Sequence, residues 1–173
     1  MIRAAVLTIS DSAFAGQRAD ASGPAVKARL ERWGWEISVA EVLPDEQERI
    51  TARLRSLARA GDVSAIFTTG GTGIAARDVT PEATRAALDR EIPGLAERMR
   101  AEGSRRTPRA ALSRAVAGLA GRVLIVNLPG SPGGAVESLD AIVELVPHVL
   151  DLVAGATSHG ENGKRPAGPS RPL

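Results

Sequence analysis

Three runs in this chain are apolar almost without a break: Ala4-Ala5-Val6-Leu7-Thr8-Ile9, Ala65-Ile66-Phe67 and Val123-Leu124-Ile125-Val126-Asn127-Leu128. A strand with one face in water alternates apolar and polar residues, so an unbroken run belongs to a strand covered on both faces. Segments with helical spacing lie between these runs. Ser22 reads as the cap of a helix with Pro24 in its first turn and Val26, Leu30 and Trp33 on one face, stopped by Gly34. Trp35 to Val42 alternates as a half-covered strand does. Pro44 and Asp45 open a helix in which Asp45 and Glu48 have capping-box spacing, Ile50, Leu54 and Leu57 form the buried stripe, and Gly61 ends it.

Thr80-Pro81 reads as the next helix start, and Pro93-Gly94 as its break. Further helices are predicted over Leu95 to Glu102 and Ala135 to Ala154. Strands and helices alternate, which predicts an α/β fold, a three-layer α/β/α sandwich with a mainly parallel sheet. With two Phe, two Trp and no Tyr, the core must be built from Ala, Val, Leu and Ile. The length of 173 residues suits one domain, read as 1–154; from Gly155 onward the chain is Gly, Pro, Ser, Arg and Lys and reads as a flexible tail, 155–173.

Several function classes are disfavoured. The formal net charge is +2, and acidic residues interleave with the arginines, so no clustered basic surface for nucleic acid is expected. Without cysteine there is no thiolate nucleophile or Cys-based zinc site, and two histidines do not make a metal cluster, so any metal sits on oxygen ligands. No signal peptide or membrane span is read, and the cytoplasm is the expected location.

In an open parallel sheet, ligands bind beyond the carboxyl ends of the strands. Four polar or Gly-rich segments follow predicted strands: Ser10 to Ser12, Leu43 to Asp45, Thr69 to Asp78 and Asn127 to Gly134. In Thr68-Thr69-Gly70-Gly71-Thr72-Gly73 half the positions lack side chains, which lets backbone amides turn inward as a nest for phosphate oxygens; a plain tight turn is the competing reading. Asp45 and Asp78 would face one crevice and hold Mg²⁺ against phosphates; equally, Asp45 reads as a cap and Asp78 as a turn residue. Asp11 is open in the same way, between a turn and a nucleotide contact. Arg77 and Arg114 are candidate phosphate partners, or surface charges. His148 reads as structural or exposed.

Leu7-Thr8-Ile9-Ser10-Asp11, Leu43-Pro44-Asp45-Glu46, Thr68 to Gly73, Arg77-Asp78-Val79-Thr80-Pro81-Glu82-Ala83-Thr84, Leu112-Ser113-Arg114 and Asn127-Leu128-Pro129-Gly130-Ser131-Pro132 together resemble the MoaB/Mog family of molybdenum cofactor biosynthesis, in the family's order and over residues 3 to 154. The resemblance implies a molybdopterin-binding-like fold. It implies an adenylyltransferase that joins AMP from Mg-ATP to the terminal phosphate of molybdopterin and releases pyrophosphate. It also implies a homotrimer and hand-off to a molybdenum insertase. Carried over, Asp45 and Asp78 are the essential acidic and metal-holding pair. Ser10, Asp11, Gly70, Gly71, Thr72 and Gly73 hold nucleotide. Arg77, Thr80, Ser113, Arg114, Asn127, Pro129, Gly130, Ser131 and Pro132 complete the cleft. A non-catalytic molybdopterin-binding or assembly protein of the same fold is the alternative.

Overall fold

The computed structural model describes residues 1–155; almost all of the segment read as a tail lies outside the described residues. The chain runs β1 (Arg3–Ile9), a one-turn α1 (Asp11–Phe14), α2 (Ser22–Arg32), β2 (Glu36–Leu43), α3 (Gln47–Ala60), β3 (Ala65–Thr69), α4 (Thr80–Ala87), β4 (Arg90–Glu91), α5 (Pro93–Ser104), a 3-10 turn (Pro108–Leu112), β5 (Ala117–Ala120), β6 (Val123–Leu128), α6 (Pro132–Ile142), a second 3-10 turn (Val143–Leu145) and α7 (Val146–Val153). The six strands form one sheet in the order β2-β1-β3-β6-β5-β4. The first four are parallel, and β5 and β4 pair antiparallel at the far edge.

The unbroken apolar runs are the central strands, and their residues divide between two cores. Ala4, Val6, Phe67, Leu124 and Val126 join Val26, Leu30, Met99 and Leu139 on one face. Ala5, Leu7, Ile66 and Ile125 meet Ile50, Leu54 and Ala83 on the other. A sheet covered on both faces is the reason that neither register of these strands carries charge. Each fully buried Leu or Ile contributes about 1.5–3 kcal/mol.

Several sequence expectations are corrected at helix ends. Asp20, not Ser22, supplies the cap bond of α2: its carboxylate accepts from the Gly23 amide at 3.0 Å. The Asp45–Glu48 capping box does not form, because α3 begins at Gln47 with no side-chain cap. Pro93 opens a helix rather than breaking one, since α4 has already ended at Ala87 and the chain has crossed β4. The helix expected over Ala135 to Ala154 starts earlier, at Pro132, and is interrupted at Val143–Leu145, just before Pro147.

One buried polar network joins three elements. Asn127 on β6 donates to Thr68 Oγ1 (3.0 Å) on β3 and to Thr84 Oγ1 (2.8 Å) on α4, and its carbonyl accepts from the Val116 amide (3.2 Å). All of these groups are shielded from water, so a lost partner leaves an unpaired buried group. The variant Asn127→Ala is expected to lose about 2–4 kcal/mol of unfolding free energy, measured as a lower urea midpoint at unchanged slope.

Candidate functional site

The parallel strands β1 and β2 end in register, with the Ser10 amide donating to the Leu43 carbonyl at 2.9 Å. Ser10 then caps α1, accepting from the Ala13 amide at 3.2 Å. Just beyond, two aspartates clasp each other's backbone: the Asp11 amide donates to Asp45 Oδ2 and the Asp45 amide to Asp11 Oδ1, both at 2.9 Å. This clasp, rather than helix capping, is what positions the Asp45 carboxylate. Asp11 also forms an ion pair with Arg77, which reaches it from the glycine loop.

The loop after β3 is built by close approaches that only glycine permits. Gly70 has φ +98°, and a Cβ there would strike the Ile9 carbonyl oxygen. Gly71 has φ +65°, and its Cβ would lie 3.1 Å from Asp45 Oδ1 and collide with Thr80 Oγ1. At Gly73 a Cβ would sit 2.7 Å from Asp78 Oδ2. The loop therefore lies directly against both candidate carboxylates.

Its carbonyls are all engaged. Thr80 donates its hydroxyl to Gly70 O (2.9 Å) and its amide to Gly71 O (3.1 Å). Arg114 donates its amide to Thr72 O (2.9 Å) and Nε to Gly73 O (2.6 Å). In a trans peptide the N–H points opposite to the C=O, so the amides of Gly71, Thr72 and Gly73 are turned the other way. Among the described residues none of the three finds a protein acceptor. Three adjacent free amides make an anion-binding nest.

Asp78 closes the loop through Ala75, whose amide donates to Asp78 Oδ2 at 2.8 Å. Burial pushes the Asp45 carboxyl above its usual range, and the charge of Asp78 pushes it the same way. No group of three or more His, Cys, Asp and Glu side chains capable of holding a metal occurs among the described residues. A divalent ion would have these two carboxylates and must take its other ligands from substrate oxygens and water.

Two cavities open here. One of about 370 Å³ is walled by Thr8, Ser10, Arg18, Asp20, Asp45 and Pro132, among others. The other, about 550 Å³, is walled by Thr72, Gly73, Arg109, Leu112, Ser113 and Pro129, among others. They share Gly71, Asp78, Gly130 and Ser131, so the acidic residue and the loop stand at their junction. All four segments picked from the sequence converge here.

Five of the residues read as ligand contacts are placed otherwise. Thr80 and Asn127 are fully buried, and their polar groups are engaged by Gly70 and by Thr68, Thr84 and Val116. The Arg114 guanidinium lies on Gly73 O, Asp78 O and Glu82, outside both cavities, because these acceptors surround it. Burial opposes ionisation of Glu82, but the hydrogen bond and charge of Arg114 outweigh it and hold the carboxyl below its usual range. Arg77 and Asp11 pair with each other, Asp11 also accepts from the Asp45 amide, and neither residue lines either cavity. Sequence reading missed Asp20, whose place ahead of the α2 apolar stripe is a cap signal, and Arg18 and Arg109, which carry no signal at all. His148 is exposed, and no helix among the described residues is long and apolar enough to cross a membrane.

Fold and site together define a three-layer α/β domain with a two-chambered, carboxylate-lined cleft at the carboxyl ends of its parallel strands. The chain belongs to the family described as probable molybdopterin binding domain, which it matches over residues 5–148. It is 37% identical over 157 residues to the molybdopterin adenylyltransferase of Helicobacter pylori strain J99, covering 89% of each chain. It is 38% identical over 156 residues to that of Escherichia coli K12, covering 86% of this chain and 77% of the relative. The Drosophila melanogaster molybdenum cofactor synthesis protein cinnamon is 40% identical over 88% of this chain, which spans only 26% of that longer protein. The crystal structure of the molybdopterin biosynthesis enzyme MoaB from Thermus thermophilus superposes with a TM-score of 0.84 at 52% identity, over 90% of this chain and 98% of that one.

The raised Asp45 carboxyl has a consequence for stability. A folded value above the unfolded one means that ionised Asp45 costs stability at neutral pH, and that the cost fades as pH falls through the raised value to the usual carboxylate range. Asp45→Asn is therefore expected to melt at or above the wild-type temperature at pH 7.5, with the gap closing toward about pH 4. A wild type that is the more stable of the two at neutral pH contradicts this.

Proposed function

We propose that this chain is a molybdopterin adenylyltransferase: it transfers AMP from ATP to the terminal phosphate of molybdopterin and releases pyrophosphate, in molybdenum cofactor biosynthesis. The observation that carries this reading is the nest of three free amides at Gly71, Thr72 and Gly73, set against Asp45 and Asp78 where two cavities meet. A transfer between two bound substrates needs such a junction. The names of the bacterial relatives supply the two substrates.

On this reading the nucleotide lies in the smaller cavity beside Ser10 and the glycine loop, and the pterin in the larger one beside Ser113 and Pro129. An oxygen of the pterin's terminal phosphate attacks the α-phosphorus of ATP in line. The bond from that phosphorus to the β-phosphate bridging oxygen breaks, and pyrophosphate leaves with the electron pair. No protein nucleophile takes part, in keeping with a chain that has no cysteine. The amides of the nest donate to phosphate oxygens on which negative charge grows, and the closed scaffold of carbonyl bonds keeps them aimed without reorganisation. Burial and the charge of Asp78, which together raise the Asp45 carboxyl, suit a cation between the two carboxylates. Asp45 and Asp78 would hold Mg²⁺, and the ion, when bound, neutralises charge on the phosphates.

The direct test is mass detection of adenylylated pterin and pyrophosphate after incubation with molybdopterin, ATP and Mg²⁺. Asp45→Asn and Asp78→Asn are each expected to lower turnover by about a hundredfold or more with an unchanged circular dichroism spectrum, the scale of a contact made in the transition state. Excess chelator is expected to abolish turnover. Wild-type protein that binds the pterin but releases no pyrophosphate returns the chain to a non-catalytic binding role.

A further inference from the structure

The cations nearest the glycine loop are already engaged, Arg77 by Asp11 and Arg114 by Gly73, Asp78 and Glu82. Two others are not. Among the described residues Arg18 is the only basic residue that lines the smaller cavity, and Arg109 the only one that lines the larger. Among the same residues neither guanidinium makes a hydrogen bond or an ion pair, although carboxylates abound on the surface.

Both are held where they stand by backbone. The Gln17 and Arg18 amides both donate to Ser12 O, at 2.9 and 3.2 Å, which folds the loop after α1 back over the cavity. The Arg109 amide donates to Thr107 Oγ1 at 3.4 Å in the 3-10 turn that lines the larger cavity. Each cavity is otherwise acidic. The smaller has Asp20, Asp45 and Asp78, and the larger has Asp78 and Glu137, the latter paired with Arg106. A polyanion entering either chamber meets one free positive side chain.

Their positions also divide the work. The cavities meet at Gly71, Asp78, Gly130 and Ser131, and neither arginine belongs to that shared wall. Accepting the transferase reading, the α-phosphorus and the attacking phosphate lie at the shared wall. What faces Arg18 and Arg109 is then the anionic group of each substrate other than the reacting phosphate. For the nucleotide, the anionic part outside the α-phosphate is the β,γ-diphosphate. For the pterin, it is the dithiolene.

We infer that Arg18 and Arg109 are separate specificity determinants for the two substrates: Arg18 engages the β- and γ-phosphates of the nucleotide, and Arg109 the anionic dithiolene of the pterin. This rests on the transferase reading for the identity of the ligands, but its test does not rest on turnover. Calorimetric titration of the intact protein, with Mg²⁺ present and oxygen excluded, gives dissociation constants for ATP, AMP and molybdopterin. Arg18→Ala is expected to weaken ATP by about tenfold or more while AMP and molybdopterin stay within about twofold. Arg109→Ala is expected to do the reverse, weakening molybdopterin and sparing both nucleotides. Lysine at either position restores part of the loss, and raising the salt from about 0.05 to about 0.5 M shrinks it, as for exposed charges. Neither side chain has a partner to lose, so melting temperatures should not move.

Equal weakening of ATP and AMP by Arg18→Ala, weakening of both substrates by either variant, or no change in any constant overturns the assignment. Pyrophosphate release by the wild type is read separately. If the binding pattern appears without release, the transferase reading falls and the arginine assignment stands. Release without the pattern has the opposite meaning.

Discussion

Four successive carbonyls, from Gly70 to Gly73, are held from behind by two residues, Thr80 and Arg114, and the character of the cleft depends on that arrangement. Turning the carbonyls away turns the next three amides toward the cleft, where a bare backbone becomes a binding surface. The support traces back to α4. Thr80 opens that helix, Glu82 in its first turn anchors the Arg114 guanidinium, and Thr84 one turn on takes a bond from Asn127 on β6. Packing of Ala83 and Ala87 against the lower core holds α4 in place. A loop with a single side chain is thus aimed by a helix that lines neither cavity.

The second constraint is the clasp between Asp11 and Asp45. Among the described residues β2 is an edge strand, paired along one side only. The reciprocal amide–carboxylate bonds tie the segment after β2 to the segment after β1 and hold Asp45 where burial first, and the charge of Asp78 second, push its carboxyl above the usual range. Two like charges facing one cleft are unfavourable in the ligand-free protein. Such a site is suited to a cation, whose charge offsets the repulsion.

Much of this architecture is legible in the sequence because both-face burial leaves a plain mark: β1, β3 and β6 stand out as unbroken apolar runs. β5 does not, because Ala117-Gly118-Leu119-Ala120 contains no β-branched or aromatic residue. Gly118 is there because β4 crosses so close that a Cβ would meet the Arg90 carbonyl, a tertiary demand that leaves no periodic signature. The convergence of four strand-end segments is legible, since it follows from topology. Individual roles within the motifs are less so. An aspartate ahead of a helix looks like a cap whether it caps, as Asp20 does, or clasps a neighbouring loop, as Asp45 does. Thr80, Arg114 and Asn127 sit inside the same motif strings as the cleft residues, yet serve as struts, because side-chain direction is set by packing rather than by spacing.

The division between struts and cleft walls bears on selectivity. A nest of backbone amides accepts any phosphate, and a carboxylate pair accepts any small hard cation. Neither tells one phosphorylated molecule from another. On the proposed function, the motif residues account for binding a phosphoryl group with a metal, and not for choosing which molecule carries it. That choice has to come from the walls that the two cavities do not share, where the side chains come from the loop after α1 and from the 3-10 turn before β5. Those segments are exposed and carry no glycine requirement along most of their length, so their residues are free to vary without disturbing the nest. On the proposed function, recognition of the reaction and recognition of the substrates are thus built on different parts of the chain, the first on a rigid frame legible as motif, the second on rim side chains that only the folded arrangement brings to the cleft.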